Sequence, residues 1–160
     1  MSKLYESLYE FHGHRCPMST LGVRLGLAAM SALSVGKADQ FAIEGVYRAR
    51  NCAIDGIQLV TACTTGNGNL LIEDASKAEF TLLFRDNSRT VTFSISPGAL
   101  ARFTAHKEKK ARLLDERGIG GLAKAMDIDA ELKRDFDSLI LWVQEASEDE
   151  VVHKVSQEGF

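Results

Sequence analysis

Apolar residues recur at helical spacing near the start of the chain and at strand spacing towards its middle. Leu4, Leu8 and Phe11 predict a short amphipathic helix over 2–11, which Gly13 would end. Leu21, Leu25 and Ala28 carry the helical period into a second segment reaching Val35, with Gly36 closing it. Pro17 suits the first position of that helix because its missing N–H is not needed there, which makes Cys16 the N-cap. Gly22 and Gly26, four apart, give the helix a flat face for close packing. FAIEGVYRAR (41–50) predicts an imperfect strand, and CAIDGIQLVTA (52–62) a helix of about three turns. In that helix Ile54, Ile57 and Val60 are the apolar positions, while Cys52, Asp55 and Gln58 form a polar row on another face. TTGNGN (64–69) is too rich in Gly and Asn for regular structure and reads as a loop. EFTLLFR (79–85) and RTVTFSI (89–95) flank Asp86-Asn87-Ser88 and predict an antiparallel hairpin.

After Ser96-Pro97 the pattern reads as helical to the end. Leu132, Phe136, Leu139, Ile140 and Val143 form a core-facing stripe. Gly118, Gly120 and Gly121 mark a break between helices over 97–117 and 122–146, and Ser147 with Glu150 has the spacing of a capping box for a last short helix.

At 160 residues, 45% hydrophobic and 26% charged, the chain has the composition of one ordinary globular domain. The net charge of -3 and its distribution argue against a nucleic-acid partner; the one basic run, HKEKKAR (106–112), reads as a solvated helix face. No apolar leader and no stretch of membrane-spanning length is visible, so no membrane partner and a cytoplasmic location are expected. Three cysteines, an odd number without secretory context, argue against a disulfide framework and leave metal binding or thiol chemistry open.

The chemistry concentrates in FHGHRCP (11–17), where His12, His14 and Cys16 fall within five positions. Imidazole nitrogen and thiolate are the ligands of zinc and similar borderline metals, and a loop lets them converge to within roughly 4 Å. Cys16 at a helix N-terminus gains thiolate character, which improves it both as a ligand and as a nucleophile. The bland alternative is a small buried cysteine beside two locally bonded histidines. Cys52 and Cys63 are the candidates for a further ligand. A continuous helix over 52–62 would hold them about 16 Å apart, so they cannot share an ion. Cys52, at a helix start like Cys16, ranks first. Asp55 and Gln58 could support a ligating histidine through hydrogen bonds, or simply be the exposed side of an amphipathic helix. The loop carrying Gly66, Asn67 and Asn69 after Cys63 could present N–H groups to an anion or part of a cofactor, although it lacks the Walker spacing. His106 and His153 stand alone in segments read as polar helices and are expected at the surface.

HGHRCP followed by LGVRLG, then NCAIDGIQLVTACTTGNGNL and the strand pair after it, resembles the core domain of the FmdE family, named for a component of formylmethanofuran dehydrogenase, over about residues 8–95. The resemblance implies an α+β fold: a mixed or antiparallel sheet with a C-terminal hairpin packed against helices, then a helical C-terminal segment. It also implies a pocket lined by His14, Cys16, Cys52 and the Cys63 loop, a bound transition metal and a tendency to form homodimers. Residues 1–96 would be the core with the metal site, and 97–160 a helical extension packed on the core or on a dimer partner. The family accompanies, by name, a molybdenum or tungsten enzyme acting on formylmethanofuran, so a larger redox complex is an expected partner. Three departures stand out. Met18 follows Cys16-Pro17 where glycine is common, Asn67 replaces a common lysine, and the cysteine-rich zinc finger that ends longer members is missing. Three functions follow as expectations. The first is a divalent-metal site, zinc above all, built from His14, Cys16 and Cys52 with His12 as a further ligand. The second is a carrier of metal or cofactor for a redox enzyme. The third is a metal-free thiol enzyme with Cys16 as nucleophile and His14 as base.

Overall fold

The structure, a computed structural model, describes residues 3–73, 80–117 and 122–159. In chain order it runs α1 (Lys3–His12), α2 (Pro17–Leu33), a single 3-10 turn (Lys37–Asp39), β1 (Glu44–Tyr47), α3 (Ala53–Thr61), β2 (Leu70–Ile72), β3 (Thr81–Arg85), β4 (Arg89–Ile95), α4 (Pro97–Arg117), α5 (Leu122–Glu145), α6 (Glu148–Val151) and β5 (Val152–Gly159). The strands form one five-stranded sheet in the order β2-β1-β3-β4-β5. β1 and β2 are parallel and the other neighbours antiparallel, so the fold is α+β with a mixed sheet.

The alternation of β4, with Val91, Phe93 and Ile95 inward, and of β3, with Leu82 and Phe84 inward, gives the sheet one apolar face. α2 lies across it, and Leu21, Leu25, Ala28 and Leu33 complete the main core with Tyr47, Phe84 and Leu70. A second cluster joins Tyr5, Leu8 and Tyr9 of α1 to Val23, Val60 and Ile140. Leu8 and Ile140 are fully buried, each worth roughly 1.5–3 kcal/mol against exposure. Arg24 of α2 donates to the carbonyls of Val143, Gln144 and Ala146, satisfying the open C-terminus of α5 and fixing it against α2. The capping box of α6 forms as read: the Ser147 N–H donates to Glu150 Oε2 at 2.9 Å, and the Ser147 hydroxyl lies 2.7 Å from the same oxygen.

Two features depart from the sequence reading. The helical segment ends at Val151, and the last described residues are β5, paired antiparallel to β4. Only Val152 of this strand is buried, so it carries no alternation by which a strand could be recognised. His153 accordingly lies on a strand. β2, three residues long beside β1, was not expected either. The Gly118, Gly120 and Gly121 break, and Glu79 at the start of the expected hairpin strand, lie outside the described residues. Among the described residues no helix is long and apolar enough to cross a membrane.

Candidate metal centre

α2 and α3 touch through their backbones. A Cβ at Gly22 would stand 2.0 Å from the Ala53 carbonyl oxygen, and one at Gly56 2.1 Å from that of Ser19. Further along, Gly26 meets Val60 and Ile57, so the contacts advance in the same direction on both helices. Their N-termini therefore lie at the same end, and their N-caps are Cys16 and Cys52. Glycine, which reads in the sequence as plain packing, sets the separation of two sulfurs 36 positions apart in the chain.

α1 brings the third group. It runs one residue further than expected and ends on His12, where Gly13 at φ +85° turns the chain and returns its N–H to the Tyr9 carbonyl. Tyr9 and Thr20 share a buried hydroxyl–hydroxyl bond of 2.7 Å, and Gln144 Nε2 donates to Tyr9 Oη, so the end of α1 is fixed to both α2 and α5. One donor atom each from His12, Cys16 and Cys52 lie within 4.8 Å of one another. Small side-chain rotations would bring such a set to the roughly 4 Å separation of donors around a tetrahedral zinc.

His12 is oriented by the polar row of α3. Its Nδ1–H donates to Asp55 Oδ2 at 2.7 Å, which leaves Nε2 as the nitrogen with a free lone pair. The side chain is 8% exposed, and among the described residues His12 Nε2 is the buried side-chain polar atom that lacks a hydrogen-bond partner. A buried imidazole nitrogen left without a donor costs free energy unless another group occupies its lone pair. Gln58 extends the chain of contacts. Its amide donates to Asp55 Oδ1 at 3.5 Å, a long contact, while its oxygen accepts from the Thr65 N–H at 3.0 Å. The TTGNGN loop is thereby tied to the carboxylate that holds His12.

Cys52 is in an unfavourable setting for thiolate while no cation is near. Burial pushes the Cys52 thiol up, and the neighbouring Cys16 adds to the effect. The helix terminus does not overcome it. A divalent ion would reverse that balance, since it stabilises thiolate directly.

The other singled-out residues lie elsewhere. His14 is exposed beyond Gly13, its ring 4.4 Å from that of His12 by centroids, and it is not part of the converging set. Cys63 is fully buried in the main core with its Sγ directed at the Ile43 carbonyl, away from the other two sulfurs. Asn67 organises its own loop: it accepts from the N–H groups of Thr64 and Asn69, and its amide donates to the Ala62 carbonyl. Asn69 anchors the loop to the Gln40 carbonyl at 2.6 Å. Gly66 is open: a Cβ there would meet only Thr64 Oγ1, at 3.7 Å. His106, expected at the surface, is half-buried between α4 and α5, bonded to Asp135, which Lys109 also reaches. One contributor was missed. Asn51 accepts from the Ala53 N–H at 2.9 Å and from the Tyr47 hydroxyl at 3.2 Å, pinning the start of α3 and hence Cys52 to β1. An Asn directly before a helix start was the available signal.

The family described as FmdE, molybdenum formylmethanofuran dehydrogenase operon, matches residues 11–153. A curated relative from Archaeoglobus fulgidus, described as a probable S-adenosyl-L-methionine-binding protein, is 36% identical over 96 residues, covering 57% of this chain and 26% of its own length. The chain thus spans about a quarter of that relative. A solved structure from Syntrophus aciditrophicus, described as a tungsten formylmethanofuran dehydrogenase FmdE-like protein, shares the fold with a TM-score of 0.58 at 22% identity, covering 94% of this chain and 69% of that one. The family match runs past the hairpin through both long helices into β5, further than the 8–95 expected, and starts at the turn that carries the histidines. On that match the chain belongs to the FmdE family.

Proposed function

We propose that this protein is a metal-binding member of its family, in which His12, Cys16 and Cys52 hold one divalent transition metal, zinc by the type of donor. The observation that carries the reading is the buried, unpartnered Nε2 of His12, oriented by Asp55 and placed beside two sulfurs. One imidazole nitrogen and two thiolates suit a borderline-soft ion, and three protein ligands leave a fourth position open. When bound, such an ion supplies Lewis acidity at that open position.

The chain's own residues do the rest. Asp55 keeps the proton on Nδ1 and the ring in one orientation, as carboxylates do for zinc-ligating histidines. Gln58 passes the position of the 64–69 loop to Asp55. To His14, exposed with its ring 4.4 Å from that of His12, we assign the role of entering the open position or meeting what binds there. The partly exposed Cys52 puts the centre at the surface and favours a role in which ion or ligand is exchanged with a partner. We therefore read the protein as an accessory component of a molybdenum or tungsten formylmethanofuran dehydrogenase system rather than as a self-contained hydrolase.

Elemental analysis of protein purified without chelator tests the reading. The expected result is close to one ion per chain, lost in Cys16→Ser and Cys52→Ser and retained in Cys63→Ser. Metal-free protein that also fails to take up added zinc would refute it, as would full retention in the Cys16→Ser/Cys52→Ser double variant.

A further inference from the structure

We propose that Cys16 and Cys52 are also an oxidation site: without metal they close into a disulfide, so that the same pair holds either an ion or a sulfur–sulfur bond. The two donor sulfurs already lie within 4.8 Å, in a packing fixed by backbone contact at Gly22 and Gly56. Closing a bond of about 2.05 Å requires the two side chains to rotate towards each other from that separation. The third cysteine does not compete, because Cys63 is wholly buried in the main core.

Exposure assigns the order of events. Cys52 is partly exposed, whereas Cys16 is 8% exposed. A small external disulfide, the oxidant, meets Cys52 first: its sulfur bonds to one sulfur of the reagent, and the other leaves as a thiolate. Cys16 then attacks the Cys52 sulfur and displaces the second half of the reagent. Two protein thiols become one disulfide, the reagent disulfide is reduced to two thiols, and the two protein protons end on those thiols. The product removes both sulfur donors from the metal centre while His12 and Asp55 stay paired. This consequence for the ion rests on the metal reading above; the oxidation itself rests only on the proximity of the sulfurs.

The test treats metal-free protein with excess oxidised glutathione, then counts free thiols after unfolding and maps the linkage by mass spectrometry. The expected result is a fall from three thiols to one, with the Cys16 and Cys52 peptides joined and Cys63 free, and no intramolecular link in Cys16→Ser or Cys52→Ser. Prior loading with zinc should slow closure by about tenfold or more. Three free thiols, a persistent glutathione adduct on Cys52, or a link that includes Cys63 would overturn the proposal. If the link forms at the same rate with and without zinc, the oxidation site stands and the metal reading falls. If zinc binds but no link forms, the reverse holds.

Discussion

His12 and Asp55 are 43 positions apart, and neither signals its partner in the sequence. The row of Cys52, Asp55 and Gln58 could be read from helical spacing alone. That Asp55 meets a histidine depended on where α1 ends. Because α1 keeps its last turn through residue 12, His12 is carried inward and His14, past the turn, is left outside. The family resemblance points to His14, whereas the residues themselves leave both histidines open. Replacing Asp55 by Asn should weaken zinc binding about 10- to 100-fold, since the ring loses the carboxylate that orients it; chelator competition measures this. Unchanged affinity would separate Asp55 from the ion. Cys63→Ser should leave zinc affinity intact while costing about 1–3 kcal/mol in urea unfolding, because a hydroxyl, costlier to bury than a thiol, enters the main core beside the Ile43 carbonyl.

Helices and the hairpin were legible because each buries one face, and that leaves a periodic trace. β5 and β2 were not. β5 owes its place to hydrogen bonding with β4 and buries almost nothing, so hydropathy carries no record of it. The role of the small residues in α2 was visible only as a pattern: Gly22 and Gly26 announced close packing without saying against what. The structure makes that packing the frame of the site. Gly22→Ala should place a methyl into the Ala53 carbonyl, lowering stability by about 1–3 kcal/mol and loosening zinc binding together. Gly66→Ala, in open space, should change neither. A Gly22→Ala protein with normal zinc affinity would uncouple the helix contact from the centre.

At the scale of the molecule, α4 and α5 are joined by charge as well as by packing. Partial burial alone would raise the Asp135 carboxyl, but hydrogen bonds from His106 and Lys109 outweigh it and hold it below the usual range. Arg117 does the same for Asp129, and backbone N–H groups hold Asp86 of the hairpin turn at about 2. These groups give up protons more readily in the folded chain than in the unfolded one. Their stabilisation is therefore complete above about pH 4 and is lost as pH falls through the lowered folded values. The urea midpoint of metal-free protein should drop steadily from about pH 4 towards about 2, and Asp135→Asn should flatten that drop. A midpoint independent of pH in this window would show the pairs to be idle.

The most direct test of the metal centre is X-ray absorption at the zinc edge on the loaded protein. Two sulfurs at about 2.3 Å and at least one imidazole nitrogen at about 2.0–2.1 Å are predicted, with the sulfur shell lost in the Cys16→Ser/Cys52→Ser variant. A first shell of oxygen and nitrogen only, identical in the variant, would contradict it.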